Sequence, residues 1–426
     1  MRRGAVVVAV VLASGLAGGG RAGAQPTPPA VTVEDVVAQA LAEHPEVLAM
    51  RAEVDAAAGR LRQAGLRPNP MLDLGYQKAF GPDNNAMVGV TLPLDLNGRK
   101  EGRVGVAQRE IEVRRAQIAD RERKLRAEIR MKAGDVLAAG RALATLGEVL
   151  AANRRALGVV RDRVQSGAAP ALDESLQLLE VNRMEASEVA LRGRRDVLGL
   201  QLRAVAGLPA GPPIMVRGDL ADVPAPIDAE QATREAVVAR PDLVTVRADA
   251  AMAAARVRKE EAEGRWDASI NVGYQRQDVG FDLMGTTASG SSRPIQDVFH
   301  YLGAGVSITL PVRNQNQGNI AAARAEVRAA ERRQELVDRT IRQEIAAAVA
   351  QDTAARRALA LYTGGVRTLA AKNFETVRQA YELGRGTLLD VIAEQRRYLE
   401  AENGYTDALK QVYDVGVELA RATGSR

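Results

Sequence analysis

Four stretches of the chain alternate between apolar residues and small or polar ones. Leu72, Leu74 and Tyr76 oppose Asp73, Gly75 and Gln77. Val88, Val90, Leu92 and Leu94 oppose Met87, Gly89 and Thr91. Trp266, Ala268, Ile270, Val272 and Tyr274 oppose Asp267, Ser269, Asn271, Gly273 and Gln275. Leu302, Ala304, Val306, Ile308 and Leu310 oppose Gly303, Gly305, Ser307 and Thr309. A period of two is the mark of a strand. It predicts strands at about 70–80, 86–95, 266–278 and 299–312. Such lengths suit strands that cross a bilayer, which need about ten residues. One greasy face and one small or polar face is the pattern of a membrane barrel. A soluble sheet with one buried face alternates in the same way. Two observations favour the membrane. Tyr76, Phe80, Trp266, Tyr274, Phe281, Phe299 and Tyr301, over half of the aromatics, cluster here, as interfacial girdles would. No other part of the chain offers a globular core on which such a sheet could pack.

Between the strands the pattern becomes helical. No proline lies between Pro93 and Pro170, and none follows Pro311. Both spans are rich in Ala, Arg, Glu, Leu and Gln, which favour helix. As one helix, 98–165 would be about 100 Å long, and the flanking 33–66 and 172–206 about 50 Å each. The second half repeats the scheme, with 318–383 long and 228–264 and 388–423 short. Helices of this length need coiled-coil neighbours. A rod-like coiled coil would satisfy that need but leaves the strands unexplained.

The chain is written twice. "SGAAPALDESLQLLEVNRMEA" at 166–186 aligns with "LGRGTLLDVIAEQRRYLEAEN" at 383–403. Gly167 falls against Gly384, Leu172 against Leu389 and Asp173 against Asp390, at one constant spacing. "HPEVLAMRAE" resembles "RPDLVTVRAD", and "LGYQ" returns as "VGYQ". The expected organisation is a first repeat at 33–207, a Pro/Gly-rich linker at 208–227 and a second repeat at 228–424. Ahead of them, Arg2, Arg3, an apolar run and "AGA" read as a signal peptide at 1–24, with a linker at 25–32.

Four strands cannot close a barrel, and open edges are not tolerated in lipid. Two chains would give eight strands and a filled interior. Three would give twelve and leave a lumen. The inward glycines and small polar residues favour three.

Composition narrows the function. The net charge of +5 comes from interleaved Lys+Arg 58 and Asp+Glu 53, with aromatics only 3%, which argues against nucleic acid. Without cysteine there is no thiolate ligand, disulfide or lipobox anchor, so the protein is expected not to be lipid-anchored. His44 and His300, the only histidines, are expected to be isolated and solvated, with no metal site. No phosphate-cradling loop, nucleophile elbow or HExxH appears, so neither an enzyme nor a cofactor is expected.

The signal peptide, duplicated units, long helices and shared strands together resemble the TolC family of outer-membrane efflux proteins, the outer membrane factors. The most specific stretches are "YELGRGTLLDVIAEQRRYLEAE" from Tyr381, its copy at 164–185, and "LPVRNQNQGNIAAARAE" at 310–326. "LRPNPMLDLGY" at 66–76 is similar to the CzcC-like heavy-metal branch. The resemblance implies a mainly α fold with a membrane β-barrel: a homotrimer with a twelve-stranded barrel and a periplasmic coiled-coil tunnel. It implies a passive conduit in a Gram-negative outer membrane, exporting heavy-metal cations or drugs. Its implied partners are a periplasmic membrane-fusion adaptor, an inner-membrane efflux pump of the RND type and outer-membrane lipid. The lipid face would carry Leu72, Leu74, Tyr76, Val88, Val90, Leu92, Ile270, Val272, Tyr274, Val306, Ile308 and Leu310, and loops 79–86 and 278–298 would lie outside. The rival reading is a periplasmic adaptor or structural protein without a barrel. An adaptor would carry one hairpin between soluble β-domains, not two duplicated units.

The resemblance also gives the tips a role. Gly167, Asp173, Gly384, Arg385, Gly386 and Thr387 would be gripped by an adaptor, and Asp390 would fall on the first acidic position of a periplasmic gate. The second position holds Ala393, with Glu394 beside it. From the residues alone, Asp390 reads as the third helical residue of a capping box begun by Thr387. Cap and gate are compatible. Asp173, its copy, reads as a cap.

Overall fold

A computed structural model describes residues 31–81, 83–222 and 228–424. The signal peptide at 1–24 and most of the linker at 25–32 lie outside the described residues. The chain opens with β1 (Val31–Thr32), α1 (Val33–Glu43) and α2 (Pro45–Ala64). A hairpin follows, β2 (Met71–Lys78) and β3 (Asn84–Pro93), then α3 (Arg99–Gln165) and α4 (Ala171–Val205). After β4 (Val216–Arg217) the order returns: α5 (Ala229–Ala239), α6 (Pro241–Glu263), β5 (Asp267–Thr286) and β6 (Ser292–Thr309). The second long helix is α7 (Gln317–Leu361), a π-helical turn at Tyr362–Val366, and α8 (Arg367–Glu382), with α9 (Leu388–Thr423) last.

The short flanking helices are not continuous, as 33–66 and 228–264 were expected to be. Each breaks before a proline. Pro45 and Pro241 open α2 and α6 at a position where the missing N–H costs nothing. The ring forces the preceding residue out of the helical region, so His44 (ψ 123°) and Arg240 (ψ 128°) are extended. The pairing of Val31 with Val216 and Thr32 with Arg217, in parallel, ties the start of the chain to the linker between the repeats. Two residues are too few to leave a sequence period.

The core is spread along helix seams. Val36, Val37, Ala40, Leu125, Ile129 and Leu202 form one cluster between α1, α3 and α4. Ala232, Ala236, Ile341, Ile345 and Leu419 form its counterpart in the second half. Toward the far end, Leu150, Leu157, Val181 and Met184 pack α3 against α4, and Leu388, Val391 and Ile392 pack with Phe374, Val377 and Tyr381.

At the opposite end the four longer strands form one antiparallel sheet in the order β2-β3-β5-β6, so β2 and β6 are its edges. The strands pack on one another, and among the described residues no helix layer covers either face. The second hairpin is much longer than expected. The segment read as a loop at 278–298 continues β5 to Thr286 and starts β6 at Ser292. A register shift between Gly280 and Met284 breaks the alternation there, which hid the extension.

Candidate functional site

The register fixes which residues share a face. Leu74, Val88, Tyr274 and Leu302 lie in one row across the sheet. Leu72, Val90, Val272 and Ala304 form the next, then Leu92, Ile270 and Val306, and then Ala268 with Ile308. Tyr76 lies on the same face, beside Ala86. Leu310 follows one residue beyond β6. The large apolar residues of this face are exposed, Leu74 at 72% and Leu302 at 82%. The other face carries Asp73, Gly89, Gly273 and Gly303 in one row. On it Thr91 donates to Asp73 (3.2 Å) and Asn271 to Ser307 (2.6 Å).

The aromatics expected to form interfacial girdles divide between the two faces of the sheet. Tyr76 and Tyr274 belong to the apolar face. Phe299 and Tyr301 pair with Gln277 and Gln275 and point with them to the small, polar side. Position along the strand suggested a girdle; parity decides the face.

The tip at the far end is built from two copies of one turn. Gly167 and Gly384 both have positive φ, 74° and 71°, which glycine adopts without a Cβ clash. Ala168 N–H donates to the Arg163 carbonyl (2.7 Å), and Arg385 N–H to that of Ala380 (2.8 Å). These close the helix ends by Schellman geometry.

Beyond the turn the copies diverge. Thr387 caps α9 through a reciprocal capping box. Its hydroxyl accepts from Asp390 N–H (3.3 Å), and the Asp390 carboxylate accepts from Thr387 N–H (3.2 Å) and from the hydroxyl (2.7 Å). The Thr387 hydroxyl, then its amide, hold the Asp390 carboxyl below its ordinary range. Asp390 is exposed. Glu394 is half-buried and ion-paired with Arg397 on the same helix, which offsets its charge. Arg385 and Thr387 are exposed on the turn, and Gly386 lies against the backbone of Tyr381.

Asp173 is not the cap it was read to be. Pro170 begins α4 with no side-chain cap bond, and the Asp173 carboxylate instead accepts from Tyr381 O–H of the other hairpin (3.2 Å). Tyr381 also lies under the Arg163 guanidinium, 5.6 Å from its ring centre. Burial, with Asp173 alongside, pushes the phenol up.

Above the tip lies a buried polar layer that sequence reasoning missed. Asn153 donates to Gln395 (2.9 Å) and Gln177 to Asn153 (2.8 Å), joining α3, α4 and α9. Beside them Glu180, 2% exposed, accepts from Arg183 and from Arg396 (2.7 and 2.9 Å). Burial would raise the Glu180 carboxyl, but the two guanidinium groups outweigh it and hold it below its ordinary range.

The histidines are not isolated. His44 Nδ1 accepts from Glu46 N–H (3.2 Å) and so caps α2, and His300 Nδ1 shares a hydrogen bond with Tyr274 O–H (2.6 Å). Among the described residues no group of three or more His, Cys, Asp or Glu could hold a metal ion. No described helix is long and apolar enough to cross a membrane.

Paired long helical hairpins at one end and, at the other, a two-faced antiparallel sheet with open edges and no covering layer among the described residues make up the fold. The chain belongs to the outer membrane efflux protein family, whose model matches residues 36–208 and 232–425. It is 24% identical over 398 residues to the cobalt-zinc-cadmium resistance protein CzcC of Cupriavidus metallidurans, covering 92% of this chain and 90% of that one. Its fold matches the crystal structure of CusC with a TM-score of 0.71 at 14% identity, over 92% of both chains. It matches the outer membrane protein VceC of Vibrio cholerae with a TM-score of 0.68 at 16% identity, over 92% of this chain and 96% of that one. The MtrE outer membrane channel of Neisseria gonorrhoeae gives a TM-score of 0.70 at 17% identity, over 92% of this chain and 88% of that one.

Proposed function

We propose that this chain is the passive outer-membrane conduit of a tripartite efflux system. Three copies close one twelve-stranded barrel, with β6 of each chain beside β2 of the next. The helices form a tunnel into the periplasm, where a membrane-fusion adaptor and an inner-membrane pump of the RND type deliver cargo. The observation that carries this reading is the sheet: among the described residues its exposed apolar face has no covering layer, and both edges are open. Open edges are excluded from lipid, so insertion demands closure with other copies. The apolar face from Leu72 to Leu310 then meets lipid, and the glycine-rich face lines a wet lumen.

At the tip, Gly167 and Gly384 to Thr387 present rigid exposed turns for the adaptor. Asp390 would form a ring of three carboxylates, the single acidic ring of the gate, since Glu394 is paired with Arg397. Cargo is small toxic compounds. The similarity to CzcC makes cobalt, zinc and cadmium cations the first to test.

Membrane fractionation tests the conduit. Recovery from outer membranes as a heat-sensitive trimer is expected, and recovery as a soluble periplasmic protein would favour an adaptor instead. A deletion strain challenged with cobalt, zinc, cadmium, copper and a drug panel reads out the cargo, and hypersensitivity to drugs alone would exclude the metal assignment.

A further inference from the structure

The polar face of the sheet changes character along its length. Nearest the helices it carries Ser269, Asn271, Thr91, Ser307 and glycines. The row Asp73, Gly89, Gly273 and Gly303 has three glycines side by side. None of these glycines has a positive φ. An added Cβ at Gly303 or Gly305 would meet nothing within 4 Å, and at Gly89 or Gly273 only ordinary contacts of 3.7 and 3.5 Å. Neither backbone conformation nor packing within the chain requires glycine there. What these glycines do is keep the space over this face empty.

One row farther from the helices the space fills. Gly75, Met87, Gln275 and Tyr301 lie across the sheet, and then Gln77, Asn85, Gln277 and Phe299. Here the one glycine is covered, because an added Cβ on Gly75 would fall 2.7 Å from Met87 Cγ. Along β5, Asn271, Gly273 and Gln275 are half-buried while Val272, Tyr274 and Arg276 are exposed. On β5, at the middle of the sheet, the polar face is thus the less accessible of the two, as the inner face of a closed barrel would be; β6, at the edge, is exposed on both.

The geometry points to a collar of Met87, Tyr301 and Phe299 at the outer mouth of the lumen, which sieves solutes by size in series with the periplasmic tip. This rests on the trimeric conduit proposed above. A twelve-stranded barrel with strands about 4.8 Å apart and tilted about 40° is roughly 24 Å across its backbone. Three copies of each bulky side chain narrow that bore without closing it. Small ions and compact molecules leave freely, while bulky solutes outside the cell are held back whatever the state of the tip. The collar is a specificity element of the exit, where the pump has no hold on the cargo.

The chain has no cysteine, so single cysteines report cleanly. Tyr301→Cys, Phe299→Cys and Leu302→Cys would each be treated on intact cells with water-soluble maleimides of increasing size. Tyr301→Cys and Phe299→Cys should label with small reagents and lose labelling as the reagent grows, and Leu302→Cys, in lipid, should stay unlabelled. In planar bilayers, polymers added from the outer side should enter wild-type trimers only below a size limit. The double variant Tyr301→Ala/Phe299→Ala should move that limit to larger polymers. The sieve is overturned if a trimeric, conducting double variant keeps the wild-type limit, or if Leu302→Cys labels and Tyr301→Cys does not. A wild-type chain that forms no conducting trimer defeats the conduit itself, and the sieve with it.

Discussion

Asp390 caps a helix and, in the proposed pore, would also carry a charge at the gate, and the two roles come apart in experiment. Its carboxylate is an acceptor in the capping box and also a charge. Asp390→Asn keeps an acceptor and removes the charge. Hydrogen exchange in the first turn of α9 should therefore stay near wild type, while single-channel recordings show reduced cation preference. Asp390→Ala should lose both. Equal cation preference in all three would remove the gate role. The depressed carboxyl pKa also has a definite sign. A folded value below the unfolded one near 3.9 gives stability that is present above that pH and lost as pH falls through the folded value. Protection of this turn should be flat through neutral pH and fade only below about pH 4. Tyr381 is the complementary case. Its bond to Asp173 spans 208 residues of sequence, so no local pattern could disclose it. The capping box could be read from the sequence because its partners lie three residues apart. Tyr381→Phe and Asp173→Ala, combined in a double-mutant cycle on folding stability, should show a coupling of about 0.5–1.5 kcal/mol. Full additivity would mean that the two hairpins are held by packing alone.

Among the elements, what could be read in advance depended on whether the signal was periodic. Helix α9 at Leu388–Thr423 and the alternating parts of the strands follow from composition and period. The breaks at His44 and Arg240 come from single X-Pro steps inside otherwise helical sequence, and a reading by composition ran through them. The upper part of β5 and β6 was lost because the shift at Gly280 to Met284 changes which residues face which side. The polar layer of Asn153, Gln177 and Gln395 could not be seen, since its members come from three helices whose alignment only the fold supplies. Gln177 is the donor to the buried Asn153 side-chain oxygen, so removing it strands that oxygen while the Asn153–Gln395 bond remains. Gln177→Ala should cost about 1–3 kcal/mol, the penalty for a buried polar group left without its partner. A lower unfolding temperature and faster exchange in α4 would report it. Tolerance of the change would show that water replaces the lost amide. The tip turns carry a separate backbone cost. Gly384→Ala places a Cβ at a φ of 71° and should cost about 1–2 kcal/mol, seen as faster proteolysis of the 383–387 turn.

For the whole molecule, the deciding feature is that neighbouring residues of one strand lie on opposite faces of the sheet. Asp73 and Leu74 are adjacent in sequence, yet the register sends Leu74 into a row with Val88, Tyr274 and Leu302, and Asp73 into a row of glycines. In the proposed barrel, lipid on one side and water on the other would make the same substitution unequal at the two positions. An arginine on the lipid face near the bilayer midplane costs about 2–4 kcal/mol, while changes in the lumen alter selectivity and leave folding largely intact. In the proposed trimer three copies would multiply the burden, because a closed barrel would hold three equivalent sites and no free edge at which to relax. Leu74→Arg should therefore sharply reduce the heat-sensitive trimer recovered from outer membranes and restore sensitivity to the exported compounds. Asp73→Arg should assemble at near wild-type level and shift ion preference away from cations. A soluble sheet buried against some other partner through its apolar face would also reject Leu74→Arg, but it would give Asp73→Arg no ion preference to change. Both arms together therefore separate a barrel from any other use of this sheet, and equal tolerance of the two arginines would mean that neither face meets lipid.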